Sequence, residues 1–460
     1  MSFFLRKNKR RIDKKRKKQL VLDEKVKGNK RRKELDEEIE SESDEDANAE
    51  QASIASSEDE IEETAKDKRL RLAKKYLQEI EDQERERLQD DDGVEEAVSS
   101  RMRMAVLEKS NKLIKKAART FTNVRLEDIR FIKNVHRLPI TSLAISSDNK
   151  YIFSVSKDGS ITKCCFETGK KLSVQPGIKK NSGTSHGHVK AIQSIVISSD
   201  SRLLATGCEG SIICLWNPND LSFIHSFRGH KAAVNGVIFR RSSHTLYSCS
   251  SDRTVKVWNC DDLCYVETLF GHQDKVTSID CGIRERPVSC GGGDQSVRVW
   301  KVVEQSQLVL QGHTGSIDCV RYITEDHFIT GGDDGIIAIW STLRKKPLFS
   351  HPSAHGHDRS VPNWITCIAT LFNTDVFASA HFLGSKDGLI KIWKCSSNFD
   401  RFSLLFTIPV IGFVNHLQFS LDGLHLIAAV AREHRFGRWW SIREAKNCIM
   451  DIPLERTDKT

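Results

Sequence analysis

Histidine, aspartate and tryptophan recur at a fixed spacing along the C-terminal three quarters of the chain. Asp252 lies 22 residues after His230, and Trp258 follows six residues later. A histidine paired with a carboxylate can transfer protons in general acid–base catalysis, so each pair is a candidate catalytic group. The same residues return, however, at the same point of several copies. This repetition favours a structural role, in which the three side chains form a buried hydrogen-bond chain in each copy.

The spacing can be followed through seven copies. The four complete copies are His230, Asp252 and Trp258; His272, Asp294 and Trp300; His313, Asp334 and Trp340; and His357, Asp387 and Trp393. The less complete copies are His188 with Trp216, His136 with Asp158 and Cys164, and Glu433 with Trp439. The tryptophan positions lie 40 to 53 residues apart, and a four-stranded propeller blade needs about 40 to 45 residues. The sequence therefore predicts an all-β fold, a seven-bladed β-propeller over residues 124–460.

These markers resemble those of the WD-repeat family. The resemblance implies that a leading strand, here within residues 125–135, pairs with the last blade and closes the ring. We expect that strand to meet the one that carries Trp439, with residues 447–454 either competing for the same edge or covering it. Closure would leave only short outer edges exposed.

The sequence lacks the common catalytic motifs. It has no Gly-x-Ser-x-Gly, no Gly-x-x-x-x-Gly-Lys and no His-Glu-x-x-His. The 13 cysteines are mostly single and lie on strand-like stretches, so we expect reduced core residues, no zinc site and no cofactor. No apolar run approaches the roughly 18 residues that span a bilayer, which favours a soluble intracellular protein.

Residues 1–63 are predicted to form a disordered, charged tail. Residues 1–33 hold 16 lysines or arginines and three acids, whereas residues 34–63 hold 15 acids and no base. Neither part has enough apolar surface to fold alone. Two basic clusters are typical of a bipartite nuclear or nucleolar localisation signal and would also bind RNA phosphates; a solvated tail without a specific partner is the alternative. The clusters comprise Lys7, Lys9, Arg10, Arg11, Lys14, Lys15, Arg16, Lys17, Lys18, Lys30, Arg31, Arg32 and Lys33.

Residues 64–123 are predicted to be a short amphipathic helical region between the tail and the propeller. The apolar positions at helical spacing are Ala73, Tyr76, Leu77 and Ile80 in residues 64–90, and Val98, Met102, Ala105 and Val106 in residues 94–119. Such stripes either pack on the propeller or dock partner proteins, and we favour partners.

Basic residues cluster in the predicted loops of the propeller. Strand counting places one set on a single face across three successive blades: Arg240, Arg241, Arg284, Arg286, Arg344, Lys345 and Lys346. The opposite face would carry Lys231, Arg253, Lys275, Arg359 and Arg435. Either set could contact phosphates without reading sequence, although a solvated rim is the alternative for any single residue. Trp364, in the long loop of the sixth repeat, would either stack on an unpaired base or pack in the core.

The final segment narrows the resemblance. Residues 408–415 (IPVIGFVN), 432–440 (REHRFGRWW) and 442–447 (IREAKN) resemble the U3 small nucleolar RNA-interacting family of WD-repeat proteins. Residues 371–375 (LFNTD) after Trp364-Ile365, and the basic, acidic and helical order of the N-terminus, add to it. The first blade departs from the pattern with Cys164 and the last with Glu433.

The resemblance implies a nucleolar, non-catalytic component of the box C/D particle that contains U3 RNA. Its partners would be U3 small nucleolar RNA, the core proteins of that particle and other proteins of the small-subunit processome, which acts in pre-18S ribosomal RNA processing. Arg432, Arg435 and Arg438 are further candidate RNA contacts from their place in the motif. A protein-interaction propeller of another nuclear complex is the alternative, and an enzyme ranks last.

Overall fold

The computed structural model describes residues 114–121, 124–178, 187–358, 361–381, 388–437 and 441–455, together with single helical positions before them. The chain divides into two compact units, Met1–Ile80 and Glu81–Thr460. In the first unit residues 66, 70, 71, 74, 75, 77 and 78 are helical, and in the second residues 98, 99, 101 and 102 are helical. Two short 3-10 helices follow, Ala117–Arg119 and Leu126–Asp128.

The second unit is built from strands. In chain order they are β1 Arg130–Lys133, β2 Ile140–Ile145, β3 Tyr151–Ser156, β4 Ile161–Cys165, β5 Lys171–Gln175, β6 Ile192–Ile197, β7 Leu204–Cys208, β8 Ile212–Trp216, β9 Phe223–Arg228, β10 Val234–Phe239, β11 Thr245–Ser250, β12 Thr254–Asn259, β13 Cys264–Phe270, β14 Val276–Asp280, β15 Val288–Gly291, β16 Ser296–Lys301, β17 Ser306–Gln311, β18 Ile317–Tyr322, β19 His327–Gly332, β20 Ile337–Ser341, β21 Phe349–His351, β22 His357–Asp358, β23 Val361–Pro362, β24 Ile365–Thr370, β25 Val376–His381, β26 Gly388–Cys395, β27 Phe402–Val410, β28 Phe413–Phe419, β29 His425–Ala431 and β30 Cys448–Pro453.

These strands form the predicted seven blades, each a four-stranded antiparallel sheet. Blades 1 to 5 are β2–β5, β6–β9, β10–β13, β14–β17 and β18–β21, blade 6 is β24–β27, and β22 pairs with β23 in a small hairpin between blades 5 and 6. The upper face is defined here by the loops that join the second and third strands of a blade and by those that join successive blades. The lower face carries the other loops.

The hydrophobic core lies between neighbouring blades. Strand β12 alternates side chains across the sheet, so Val255 and Val257 are buried against Val276 and Ile279 of blade 4. Trp258 packs on the other side, in a cluster with residues of blade 2. Fully burying one such aliphatic side chain contributes about 1.5–3 kcal/mol, so each blade depends on both neighbours.

Polar side chains on the innermost strands also join successive blades. Each is the second or third residue of its strand, and its side chain donates a hydrogen bond to a backbone carbonyl of the next blade. The bonds are Thr141 to Ile192 (2.6 Å), Asn235 to Val276 (2.6 Å), Thr277 to Ile317 (2.5 Å), Thr366 to Val414 (3.0 Å) and Asn415 to Ile140 (2.7 Å). All five side chains belong to buried residues. Because the last of these bonds runs from blade 7 to blade 1, the set reinforces the closed ring.

The leading strand closes the ring as predicted, but its partner differs from the expected one. Blade 7 has the order β1-β30-β29-β28, so β1 pairs with β30. The expectation that β1 meets a strand carrying Trp439 is therefore wrong. In β30 it is Ile452 that lies opposite Leu426, as Trp258 lies opposite Leu246 in blade 3.

The closure is fixed by a buried carboxylate. The guanidinium of Arg130 in β1 lies 2.8 Å from Asp451 Oδ2, and His425 Nδ1 lies 2.8 Å from Asp451 Oδ1. Asp451 is buried, so its two partners satisfy a charge that would otherwise be costly.

Residues that precede β1 pack on the lower face of blade 6. The Lys115 amide donates to the Asn373 carbonyl (2.8 Å), and the Ala118 amide donates to Asp375 Oδ1 (2.9 Å). Ala118 is buried in the core cluster of blades 6 and 7. Ala118 is not one of the stripe positions in residues 73–80 and 98–106, so partner docking by those stripes stays a prediction. The predicted helical stretch up to residue 119 is interrupted, since Lys115 forms a parallel bridge with Thr374.

Candidate nucleic-acid interface

The histidine–aspartate pairs of blades 3, 4 and 5 are closed into structural hydrogen-bond chains. In blade 3, His230 Nδ1 lies 2.8 Å from Asp252 and His230 Nε2 lies 2.8 Å from Ser248 Oγ. The indole N–H of Trp258 donates to the same hydroxyl (2.8 Å). Blades 4 and 5 repeat the arrangement, with His272, Asp294, Ser289 and Trp300 and with His313, Asp334, Thr330 and Trp340. Because each ring nitrogen is occupied in a buried chain, these histidines serve the fold.

The second-strand hydroxyl at the centre of each chain was not identified from the sequence. It is Ser154, Thr206, Ser248, Ser289, Thr330 and Ser379 in blades 1 to 6. A usable signal exists, because in blades 2, 3 and 5 the hydroxyl residue stands ten positions before the tryptophan.

Blade 6 uses a different histidine from the predicted one. His357 is exposed and bonds Ser353 Oγ (2.8 Å), so its assignment as a blade position is wrong. The buried His355 takes that place, with Nε2 2.7 Å from Ser379 Oγ, to which Trp393 Nε1 also donates (2.8 Å). Asp387 lies outside the described residues.

His355→Ala is expected to lower the free energy of unfolding by about 1–3 kcal/mol, because a buried hydrogen bond is lost and packing is removed. His357→Ala is the matched control, and we expect a change within about 0.5 kcal/mol for an exposed residue. Urea denaturation of both variants measures the difference. A larger loss for His357→Ala would contradict the assignment.

Three of the seven lower-face cations are half-buried as well as engaged with the protein itself. Arg240 donates to the Ile283 carbonyl (2.7 Å) and pairs with Glu285. Arg241 is half-buried, with its guanidinium 4.0 Å from the centre of the Phe372 ring. Arg286 is half-buried, and its guanidinium lies 3.9 Å from Glu304. These side chains are therefore poorly placed to bind an external phosphate.

The other four cations remain on the surface of blades 4 and 5. Arg284, Arg344, Lys345 and Lys346 are exposed. Arg284 lies 3.3 Å from Asp326, whose carbonyl accepts the Thr342 amide (2.9 Å). The four residues thus lie around one stretch of the lower face, which we call the lower basic patch.

The candidate RNA contacts of the upper face differ in their exposure to solvent. Arg432 is exposed, and so are Lys231, Arg253 and Lys275. Arg435 instead lines the central channel, with its guanidinium 4.5 Å from the centre of the Phe436 ring; we withdraw it as a surface RNA contact. Arg438 and Arg359 lie outside the described residues, as do all the basic residues assigned to the localisation signal, Lys7 to Lys33.

Trp364 lies at the upper mouth of the channel and is not part of the core. Its indole N–H donates to Asp318 Oδ2 (2.5 Å), and its ring lies 4.8 Å from that of His434. Burial raises the pKa of Asp318 to about 6, against the lowering effect of the bond from Trp364. The Trp364 side chain is half-buried, so part of its ring is exposed at the mouth of the channel.

Cysteine and metal chemistry are not organised into a site in the part of the chain that the structure describes. All 13 cysteines are free thiols, and 11 of them are buried. Burial raises the pKa of the Cys164 thiol, in the tryptophan position of blade 1, to about 11. Among the described residues no group of three or more histidine, cysteine, aspartate or glutamate side chains could hold a metal ion. No described helix is long and apolar enough to cross a membrane.

Comparison with known proteins identifies the family. The WD40 family, described as "WD domain, G-beta repeat", matches residues 129–162, 179–217, 221–259, 263–301, 304–341 and 348–394. Human U3 small nucleolar RNA-interacting protein 2 is 45% identical over 401 residues, which are 86% of this chain and 83% of that protein. The Saccharomyces cerevisiae Ribosomal RNA-processing protein 9 is 33% identical over 190 residues, 34% of this chain and 32% of its own.

A solved structure described as "Structure of U3-55K" is 44% identical and has a TM-score of 0.69, covering 72% of this chain and 100% of that one. The chain therefore belongs to the WD40-repeat family of U3 small nucleolar RNA-interacting protein 2.

Proposed function

We propose that this chain is a non-catalytic RNA-binding component of the U3 small nucleolar ribonucleoprotein, acting in the small-subunit processome during pre-18S ribosomal RNA processing. Family membership supports a place in the U3 ribonucleoprotein, because relatives are named for U3 RNA interaction and for ribosomal RNA processing. The WD-repeat propeller is a scaffold fold, which agrees with a binding role.

The observation that carries RNA binding is the lower basic patch. Phosphate contacts supply much of the affinity of nucleic-acid-binding proteins, and they require cations that are free to reach the backbone. Arg344, Lys345 and Lys346 form no ion pair within the described part of the chain and are exposed in consecutive positions. We infer that U3 RNA contacts the lower face of blades 4 and 5.

The path of the N-terminal chain supports the same face. Residues 115–118 are bonded to the loop of Asn373 and Asp375, which lies on the lower face of blade 6. That loop also bonds blade 5, since the Asn373 amide donates to the Ile323 carbonyl (2.8 Å). The chain before residue 115 thus reaches the propeller on the lower face. The basic clusters lie in residues 1–33 of the same chain. They would add phosphate contacts and direct the protein to the nucleolus.

The partners under this proposal are U3 RNA, the box C/D core proteins and further processome proteins. Trp364, with Phe436 at the same mouth, lines a cavity of about 650 Å³ on the upper face. This cavity favours, as a second function, a protein-interaction propeller in another nuclear complex.

Crosslinking in cells followed by sequencing of the attached RNA tests the proposal. We expect U3 RNA to be enriched over other box C/D RNAs, and the enrichment to fall when the lower basic patch is neutralised. A library without U3 enrichment, from a protein that still co-purifies with nuclear complexes, would favour the second function.

A further inference from the structure

The channel along the axis of the ring holds three arginines. The innermost strands of the seven blades surround a cavity of about 210 Å³. Arg321 reaches it from β18, Arg241 from the lower loop of blade 3 and Arg435 from the upper loop of blade 7. His416 of β28 also lines the cavity. Arginine stays protonated in proteins, so three positive charges face one small space.

The polar groups left without partners in this cavity are donors. Within the described part of the chain, the Nε atoms of Arg241 and Arg435 are buried without a hydrogen-bond partner, and so is Nδ1 of His416. Burial, together with the nearby Arg321 and Arg435, lowers the pKa of His416 well below its usual value. The ring is therefore neutral, and since its Nε2 lies 3.4 Å from Arg321 Nη2 and accepts from it, its Nδ1 carries the remaining proton.

Nearby carboxyls do not satisfy these donors. Asp280 accepts the amides of Cys281 (3.0 Å) and Tyr322 (2.7 Å). Glu325 accepts the amides of Ile283 (2.7 Å) and Arg284 (3.2 Å). Asp318 accepts the indole of Trp364, as described above. None of the three forms an ion pair with a channel arginine among the described residues. Asp280 lines the same cavity, however, and it attracts Arg241 together with Glu325, as Asp318 attracts Arg435. What the arginines lack is therefore a direct ion-pair partner.

We propose that the channel is a binding site for a small tetrahedral oxyanion of the phosphate type. An oxyanion offers only acceptors, which matches unpartnered donors, and buried charge-assisted hydrogen bonds are the strong ones. The cavity has the volume of roughly seven waters at about 30 Å³ each, and it is smaller than the roughly 300–1,000 Å³ typical of drug-sized ligands. It therefore suits a phosphate group better than a nucleotide.

The anion has a route into the channel from above. The upper cavity shares Asn235 and Thr277 with the channel. Its charged lining residues are Lys190 and Lys275 together with Glu209, Asp318 and Asp333, so an anion would enter along the lysine side. Once bound, the anion would join blades 3, 5 and 7, from which the three arginines come. Its expected effect is a stiffer ring, and this site is independent of the RNA contacts proposed for the lower face.

Thermal unfolding of the full chain in sodium phosphate and in sodium chloride, at equal ionic strength, tests the proposal. We expect a saturable rise in Tm of about 2–4 °C at phosphate concentrations far above Kd. Phosphate also stabilises proteins by exclusion from their surface, but that effect does not saturate and is equal in all variants.

Variants distinguish the channel from surface binding. Arg435→Gln is expected to weaken the saturable phosphate response at least 10-fold, and Arg435→Lys, which keeps the charge, to weaken it less. Arg344→Gln, on the lower basic patch, is the matched control and should leave the response unchanged. A response that is equal in Arg435→Gln and in the unmodified chain would overturn the proposal.

Crystals of the unmodified chain soaked in selenate give a test that does not depend on the folding of any variant. We expect an anomalous peak between Arg321 and Arg435. A map with only water-sized, non-anomalous density there would show that solvent alone satisfies the donors, and it would refute the site.

Discussion

Acidification from pH 7 to pH 5 is expected to destabilise the propeller by several kcal/mol. Burial lowers the pKa of His136, His188 and His381 to about 4 and that of His434 to about 3. In the unfolded chain a histidine has a pKa of about 6.5. Between these values the unfolded state binds more protons, so the stability that these groups contribute above pH 6.5 is lost as the pH falls.

The size of the effect follows from the number of groups. Each histidine whose unfolded form is protonated and whose folded form is neutral contributes about 1.4 kcal/mol per pH unit, so four give roughly 5 kcal/mol per unit near pH 5. Asp318 offsets about one of them, because burial raises its pKa to about 6 and its folded form binds the proton near pH 5. The net loss is therefore roughly 4 kcal/mol per unit. The typical free energy of unfolding is only about 5–15 kcal/mol. His244 acts in the opposite direction, because its hydrogen bond to Asp261 raises its pKa against a smaller effect of burial. Its contribution is present at low pH and is lost as the pH rises.

Urea denaturation midpoints from pH 7.5 to pH 5 measure this dependence. His188→Gln keeps a polar group near Thr206, which lies 2.6 Å from His188 Nε2, and removes one titrating group. We expect its pH slope to be smaller by about 1.4 kcal/mol per unit. A midpoint that does not change between pH 7 and pH 5 would contradict the buried neutral histidines.

Sequence patterns predicted the fold because the repeat is a packing unit. The tryptophan and aspartate markers found the strands of blades 3 to 5, and Cys164 does occupy the tryptophan register, opposite Ile152. The Gly-His pattern predicted the wrong histidine in blade 6. The structural histidine, His355, has no glycine before it, and Gly356-His357 belongs to the start of the inserted hairpin. In blade 7 the position that tryptophan holds in other blades is occupied by Ile452, which its residue type does not reveal. Trp439 was therefore assigned to that position instead.

The candidate site was less predictable because exposure depends on residues distant in the chain. Strand counting placed Arg240 and Arg241 on the correct face, but their partners come from the next blade and from blade 6, at Glu285 and Phe372. Arg435 follows a loop that turns into the channel, which its neighbours in sequence do not indicate. A charge pattern gives the number of cations in a loop, and only the packing of other blades decides which reach solvent.

Reversing the charge of three of the four residues of the lower basic patch is expected to weaken binding to U3 RNA by roughly 100-fold at physiological salt. The change is Arg344→Glu with Lys345→Glu and Lys346→Glu in the full chain. If each cation contacts one phosphate, the slope of log affinity against log salt concentration should fall by about 2–3, since each contact contributes about 0.7 to 0.9. These side chains are exposed, so folding should be little affected.

The upper face supplies a control with the same change in charge. Lys231→Glu, Arg253→Glu and Lys275→Glu reverse three exposed cations of blades 3 and 4, and we expect an affinity within about threefold of the unmodified chain, as for cations outside the phosphate contacts. Titrations with a U3 fragment at several salt concentrations measure both triple variants. If the upper variant loses the slope and the lower one keeps it, the RNA lies on the upper face. Because both variants carry the same net charge, long-range attraction alone would weaken them equally, and only direct phosphate contact predicts a difference between them.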